Sequence, residues 1–357
     1  MIGRIRSVVR KLRGRSSHEL YTRATQRAYA LGERAALRMG RSPDEVAPRF
    51  DADTVFTQPF FPGIGGGKNG VQSTIAALRA VAPQDESEVL TRAAAAERGD
   101  ISLLGYGMLH VGATPDWQRD PFANLRAPQE HWSTIPYLDR HVVGDHKVVW
   151  EINRHQYFLT FGQAFAYTGD ERWPKAFVRM LDGWLDTNPP TIGMNWCSSL
   201  EVSYRAISWL WALQLMRDAH AVDARFKARV LASLQAHGRH LERYLSTYFS
   251  PNTHLTGEAL GLFYIGTQCP ELPRAEHWAS LGASVLERAL DTQVLADGVY
   301  FEQATQYHRY TIDIYVHYAL LAKAVRRDTA HTVLPALSRM FDVLLHLTRG
   351  DGTIPLV

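Results

Sequence analysis

Cysteine is scarce in this chain of 357 residues, and long apolar runs and a marked excess of one charge are missing. Its two cysteines, Cys197 and Cys269, are too few for a disulfide framework, and no Cys/His spacing is typical of structural zinc. No run of about 18 apolar residues is present to cross a bilayer. Lys and Arg number 39 against 36 Asp and Glu. That balance argues against a protein that coats nucleic acid.

Apolar and aromatic side chains are abundant. The apolar set makes up 46% of the chain and charged residues 21%, which is typical of a folded protein and excludes a disordered one. The chain also carries nine Trp, fifteen Tyr and fifteen His. Flat rings and imidazoles suit sugar faces and proton transfer, although aromatic residues more often simply form the core.

The chain begins with a strongly basic segment, and its first acid is Glu19. The apolar residues near the start are too few for a secretory signal, which favours the cytoplasm. We expect residues 1–40 to form a basic helical segment that packs on the body, with membrane-surface contact as the alternative. The early cations are Arg4, Arg6, Arg10, Lys11, Arg13 and Arg15.

Helical periodicity dominates from residue 151 to residue 349. Apolar positions recur at steps of three and four residues between short polar breaks, which predicts an all-α body of antiparallel helical hairpins. Both an incomplete (α/α) toroid and a solenoid fit this pattern. The predicted helices are 154–168, 171–187, 198–218, 223–246, 255–267, 274–296, 305–326 and 332–348.

The flanking regions have different patterns. Residues 41–150 predict a mixed region of loops and short helices that packs on the helical body. Residues 350–357 follow a helix stop and begin an extended segment, which indicates the start of a further C-terminal β domain.

Polar residues concentrate in four segments next to helix breaks. Each segment alone is consistent with helix capping, as in Asn252 followed by Thr253. In a ring of hairpins, however, alternate helix ends converge on one rim, so the four segments could line one cleft. The segments are Asn153-Arg154-His155-Gln156, Asn195-Trp196 with Glu201 and Arg205, Ser250-Pro251-Asn252-Thr253-His254 with Glu258, and Glu302-Gln303 with Tyr307-His308-Arg309-Tyr310.

Two pairs within these segments have helical spacing. Glu201 and Arg205 lie four residues apart and predict an ion pair, and His254 and Glu258 share a helix face in the same way. The latter pair lacks the second histidine of a zincin helix, so we predict no metal site.

At these segments the sequence resembles the heparinase II/III-like polysaccharide lyases, which include related alginate and oligoalginate lyases. The resemblance extends over most of the chain and is densest over residues 153–318. It implies an N-terminal (α/α) toroid followed by a C-terminal β-sandwich that is missing here. It also implies β-elimination at uronic acid residues without a cofactor, with an acidic polysaccharide as the partner. Related enzymes act in the periplasm or outside the cell, so localisation stays open.

Elimination makes chemical demands that these residues can meet. The C5 proton of a uronate is weakly acidic until the neighbouring carboxylate is neutralised or hydrogen-bonded. The resemblance assigns this role to Asn252 or His254, and it assigns acid/base catalysis to Tyr307, with Tyr310 the less favoured tyrosine. Where relatives often carry a second Asn, this chain has Thr253, so Asn252 or His254 would have to take its role.

The remaining polar residues of the four segments are expected to bind substrate, and Trp196 is the choice for stacking on sugar. They are His155, Gln156, Asn195, Trp196, Glu201, Arg205, Glu258, His308, Arg309 and Tyr310.

Two other functions remain open. An (α/α)-toroid glycoside hydrolase would need two carboxylates, for which Glu201, Glu258 and Glu302 are available. A non-catalytic scaffold that binds polysaccharide, or helps in its export or assembly, is the second alternative.

Overall fold

The computed structural model describes residues 14–41, 49–65, 67–103, 105–329 and 331–355. The basic positions Arg4, Arg6, Arg10, Lys11 and Arg13 lie outside the described residues, as do 42–48 and the last two residues of the predicted C-terminal segment. The helices are α1 (Ser17–Arg38), α2 (Gly67–Val81), α3 (Asp85–Arg98), α4 (Arg140–Val143), α5 (His146–Asn153), α6 (Phe158–Thr168), α7 (Arg172–Thr187), α8 (Ser199–Met216), α9 (Ala224–Tyr244), α10 (Thr253–Gln268), α11 (Ala275–Gln293), α12 (Thr305–Ala324) and α13 (Val333–Leu347).

Strands are few and short within the described part of the chain. β1 (Asp100–Ser102) pairs antiparallel with β2 (Met108–His110), and β3 (Arg119–Asp120) pairs antiparallel with β4 (Leu125–Arg126). Both hairpins lie in the region before α4. The all-α prediction is therefore confirmed, and each of the eight predicted helices has a counterpart in α6 to α13 whose ends differ by a few residues.

The helices α6 to α13 form two layers. Consecutive helices pair as hairpins, α6 with α7, α8 with α9, α10 with α11 and α12 with α13. The first helices of these hairpins, α6, α8, α10 and α12, also pack side by side in chain order and form an inner layer. The same four helices line a central hollow of about 380 Å³. This order of packing is that of an (α/α) toroid, which favours the toroid over a solenoid.

Inner helices are buried on nearly every side. All but two of the 16 residues of α10 are buried, because it is enclosed by α8, α9, α11 and α12. Small residues permit this packing: a Cβ at Gly282 of α11 would lie 2.5 Å from the carbonyl oxygen of Ala259 on α10. The hairpin of α10 and α11 therefore depends on glycine at position 282.

One predicted helix begins later than expected. The segment at 153–156 does not open a helix, because α5 ends at Asn153 and α6 begins only at Phe158. Between them His155 has a φ of 57°, a left-handed conformation that interrupts helical hydrogen bonding. The Asn153 amide is buried and donates to the carbonyl of Trp117, which fixes this break against the preceding region.

Helix α1 lies across the end of α9 and the loop that follows it. Arg23 donates to the carbonyl oxygen of Tyr248 and Gln26 to that of Leu245. No residue of α1 is fully buried, so polar contacts hold it in place. In the part of the chain that the structure describes, no helix has the length and apolar character needed to span a bilayer.

Candidate active site

The four polar segments meet at one end of the inner layer. Arg154 binds Glu201 through two hydrogen bonds, from Nε to Oε2 at 2.6 Å and from Nη2 to Oε1 at 2.9 Å. Its guanidinium also lies 5.3 Å from the ring centroid of Tyr204, whose hydroxyl is hydrogen-bonded to that of Tyr310. These contacts join the first, second and fourth segments.

The third segment joins the others through Asn252 and His254. Asn252 Nδ2 donates to Glu302 Oε1 at 2.9 Å, a contact across 50 residues of chain. The charges of Glu201, Glu302 and Arg154 all act on His254. We call the whole group the rim cluster; it comprises Arg154, Glu201, Tyr204, Asn252, His254, Glu302 and Tyr310.

Asn252 combines capping with a place in the rim cluster. It is the N-cap of α10, and its Oδ1 accepts from the backbone N–H of His254 at 3.2 Å. Its Nδ2 is then directed toward Glu302. The capping interpretation and the site interpretation are therefore compatible, because the two ends of one amide serve them separately.

The surroundings of His254 favour the neutral form of its imidazole. Burial lowers the pKa of its imidazole below the usual value, Glu201 and Glu302 oppose this shift, and Arg154 adds to it. A neutral imidazole can accept a proton or a hydrogen bond from a ligand.

The two candidate tyrosines have different surroundings. Tyr307 is 48% exposed on α12 and is accessible to solvent. Tyr310 is half-buried; burial raises the pKa of its phenol to about 12, although its hydrogen bond with Tyr204 and the charge of Arg154 act in the opposite direction. At neutral pH Tyr310 is therefore a proton donor rather than a base.

Several expected ligands of the substrate lie in the core instead. Trp196 is fully buried and packs 4.8 Å from the ring of His237, so it offers no face to a sugar. Arg205 is also buried and donates to His237 Nε2 and to the carbonyl oxygen of Asn195. The predicted ion pair between Glu201 and Arg205 is wrong, because Arg154 takes both oxygens of Glu201. Asn195 is buried and binds Trp117 and Asn188.

Two predicted histidines are likewise core residues. His155 is fully buried and accepts a hydrogen bond from Trp209 Nε1 at 2.9 Å. His308 is buried between the backbone N–H of Tyr300 and the carbonyl oxygen of Met340. Neither ring reaches a surface that a polymer could occupy. By contrast Gln156 and Arg309 are exposed, and Gln156 lines the central hollow.

A second and larger depression begins at His254. It has a volume of about 770 Å³ and runs between α1 and the toroid. We call it the α1 groove. The cations and aromatic residues along it are Arg23, Arg27, Arg34, Trp132, Tyr137, His146, Lys147, Trp150, His240, Tyr244, Phe249 and His254.

Glu258 lies in the wall of this groove, on the same face of α10 as His254. Its two oxygens accept from the backbone N–H of Ser246 at 2.7 Å and from the Ser246 hydroxyl at 2.6 Å. Burial raises the pKa of the Glu258 carboxyl to about 8, although the bonds from Ser246 lower it. The side chain is therefore largely uncharged at neutral pH.

Sequence reasoning missed three features of the site. Arg154 stood in a quoted segment but received no role, and Tyr204 was not considered. The arginines of α1 were not singled out within the basic segment of residues 1–40. The sequence did contain a pattern that predicts their arrangement, since Arg23, Arg27 and Arg34 are spaced by four and seven residues and therefore share one helix face. Within the described residues, no group of three His, Cys, Asp or Glu side chains could hold a metal ion.

Comparison with known proteins identifies the scaffold. Residues 92–357 match the family model of the heparinase II/III N-terminus. The chain is 25% identical to a heparin-sulfate lyase of Bacteroides stercoris over 235 residues, 60% of this chain and 35% of that protein. It is also 25% identical to a heparin-sulfate lyase of Pedobacter heparinus over 260 residues, 71% of this chain and 36% of that protein. The chain thus spans about a third of the length of these curated relatives.

Solved structures confirm the incomplete toroid. A heparan sulfate lyase from Pedobacter heparinus superposes with a TM-score of 0.54 at 24% identity, covering 75% of this chain and 39% of that one. A heparinase III superposes with a TM-score of 0.55 at 21% identity, covering 75% of this chain and 42% of that one. At such identities the likeness shows the fold alone. The family match over most of the chain, by contrast, shows that this protein belongs to the heparinase II/III N-terminus family.

Proposed function

We propose that this chain provides the toroid of a polysaccharide lyase that cleaves a uronate-containing acidic polysaccharide by β-elimination. The observation that carries the proposal is the rim cluster, in which four segments distant in sequence bring amide, imidazole, guanidinium and phenol groups to one end of the toroid. The relatives named heparin-sulfate lyases support the same reaction class.

In the proposed reaction a base removes the C5 proton of the uronate. The electron pair then forms the C4–C5 double bond, and the C4–O bond breaks while an acid protonates the leaving oxygen. Asn252 and His254 hydrogen-bond the carboxylate and so stabilise the enolate-like state. Arg154 holds Glu201 in place within the rim cluster through two hydrogen bonds.

Because Thr253 stands where relatives often carry a second Asn, the neighbouring residues must bind the substrate carboxylate. Thr253 is only 2% exposed, so its hydroxyl does not reach the groove. Asn252 is free to serve once its bond to Glu302 exchanges for a bond to substrate. Tyr307 is the proposed acid/base residue because it is open to solvent, and Tyr310 supports the cluster through Tyr204.

A binding function without catalysis is the second candidate, and the buried Thr253 is the observation that favours it. The hydrolase alternative is weaker, because two of the three available carboxylates have both oxygens engaged. Glu201 is held by Arg154 and Glu258 by Ser246, whereas Glu302 accepts from Asn252 through Oε1 alone. A retaining or inverting hydrolase needs two carboxylates that can act on the substrate or on water.

The decisive experiment incubates the protein with a panel of uronate polymers and follows the ultraviolet absorbance and mass of the unsaturated products. We expect Tyr307→Phe to abolish turnover and to leave thermal unfolding unchanged, since its side chain is half exposed. Tyr106→Phe is the matched control, because Tyr106 is 59% exposed in a remote hairpin region. Full turnover in Tyr307→Phe would remove Tyr307 from the mechanism. Binding of a polymer with no unsaturated product after long incubation would favour the scaffold.

A further inference from the structure

The α1 groove carries an uneven charge. Four Lys or Arg side chains line it, Arg23, Arg27, Arg34 and Lys147, against the single acidic residue Glu258. The pKa of Glu258 is raised to about 8, so cationic side chains outnumber anionic ones along the groove at neutral pH.

Two of the α1 arginines are available to a ligand. Arg23 is occupied by Glu19 and by the carbonyl oxygen of Tyr248. Among the described residues, Arg27 and Arg34 have no carboxylate partner, although both line the groove. Seven residues of helix separate them, about 10 Å along the axis. Two unpaired guanidinium groups at that spacing suit a polymer with repeated anionic groups better than a single small anion.

Aromatic side chains complete the groove. Trp132, Tyr137 and Trp150 are partly buried along it, and Phe249 is 76% exposed. Such rings provide flat apolar faces between the cations, which suits the alternation of apolar ring faces and charged substituents along an acidic polysaccharide. A lipid surface would meet the cations but would not need a groove bounded by α1 on one side and the toroid on the other.

We propose that the α1 groove binds a stretch of acidic polysaccharide that leads into the rim cluster at His254, with Arg27 and Arg34 contacting its carboxylate or sulfate groups. The choice of polymer rests on the proposed function. The site itself extends beyond the family scaffold, because α1 lies outside the matched residues 92–357. Helix α1 thereby adds a wall to the substrate path and selects for polymers with closely spaced charges.

The test measures binding of heparan sulfate and alginate oligosaccharides to the whole chain by isothermal titration calorimetry at two salt concentrations. Arg27→Ala/Arg34→Ala removes the two free cations. We expect its affinity to fall about tenfold and its salt dependence to weaken, because two charge-assisted contacts are lost. Arg38→Ala/Arg92→Ala is the control with the same change in charge. Arg38 is on α1 and Arg92 on α3, both are exposed, and neither lines the groove, so its affinity should stay within about twofold.

Equal loss of affinity in both double variants would overturn the proposal, because it would reduce the effect to net charge. It would also be overturned if phosphatidylserine vesicles, but not the oligosaccharides, distinguished the two variants. Turnover is measured separately on the same samples. If Arg27→Ala/Arg34→Ala selectively loses binding and the wild-type protein shows no turnover, the groove is supported and the lyase activity is refuted. If the wild-type protein shows turnover and Arg27→Ala/Arg34→Ala binds as tightly as the wild type, the lyase activity is supported and the groove is refuted.

Discussion

Glu33 anchors α1 to the toroid, and its replacement by glutamine offers a direct test of that attachment. Its carboxylate accepts hydrogen bonds from Arg243 Nη1 and the Tyr244 hydroxyl, both at 2.9 Å, and also contacts His131. Burial alone would raise the pKa of Glu33, but the hydrogen bond from His131, the charge of His240 and the bonds from Tyr244 and Arg243 lower it to about 2. The docked helix thus favours the ionised form.

The size of the effect follows from linkage. A shift of the Glu33 pKa from 4.5 to about 2 corresponds to about 3 kcal/mol of docking free energy, or about 2 kcal/mol after allowance for solvent screening. Because the folded pKa is depressed, this stabilisation is fully present above pH 4.5 and is lost as the pH falls toward 2. We expect Glu33→Gln to lack it at every pH.

Hydrogen–deuterium exchange of the α1 amides measures this docking. At pH 7 Glu33→Gln should increase the opening equilibrium of α1 by about thirtyfold to a hundredfold, with the toroid helices unchanged. Glu19→Gln is the control on the same helix, because among the residues that the structure describes Glu19 forms ion pairs only with Arg15 and Arg23 of its own segment. If the two variants exchange alike, or if wild-type protection of α1 does not decline below pH 4.5, the assigned role of Glu33 is wrong.

Three further predictions concern packing and buried charge. Gly282→Ala should lower the free energy of unfolding by about 2–3 kcal/mol, because the new Cβ meets backbone atoms of α10; Gly183→Ala, where nothing lies within 4 Å, should raise it by about 0.5–1 kcal/mol. Chemical denaturation measures both, and equal effects would contradict the packing argument. Arg154→Met should cost about 3 kcal/mol, and adding Glu201→Gln should restore part of it, because the unpaired buried carboxylate is then removed; additive losses would refute the pairing. Because the pKa of Glu258 is raised to about 8 in the folded protein, wild-type stability is lost as the pH rises from 5 through about 8. Glu258→Gln should therefore show a smaller decline in melting temperature over this range. Parallel pH profiles of the two proteins would show that Glu258 is not the titrating group.

The structure places some of the predicted site residues at the rim and others in the core, and the difference has physical reasons. Asn252 and His254 follow a Ser-Pro break, and such a break predicts that they lie at the start of a helix. Trp196 stands in a similar polar segment, yet its ring lies in the core because the short turn Met194–Trp196 folds under α8. A polar neighbourhood in sequence does not specify which side of a helix faces the interior.

Local spacing in the sequence also could not predict which residues form ion pairs across the chain. The four-residue step predicted Glu201 with Arg205, since both occupy one helix face. The structure instead offers Glu201 a bidentate partner 47 residues earlier, and Arg205 turns inward toward His237 and two tryptophan rings. Only the packing of α8 against the break after α5 determines this choice.

The linear order of residues by itself determined the helices α6 to α13, their hairpin succession and the membership of the family, because apolar periodicity and Pro, Gly and Asn breaks act over a few residues. Tertiary structure alone decided which polar groups reach the rim, which are sealed in the core, and that α1 closes a cationic groove beside His254. Burial and long-range ion pairing depend on how separate helices enclose one another, and no local pattern carries that information.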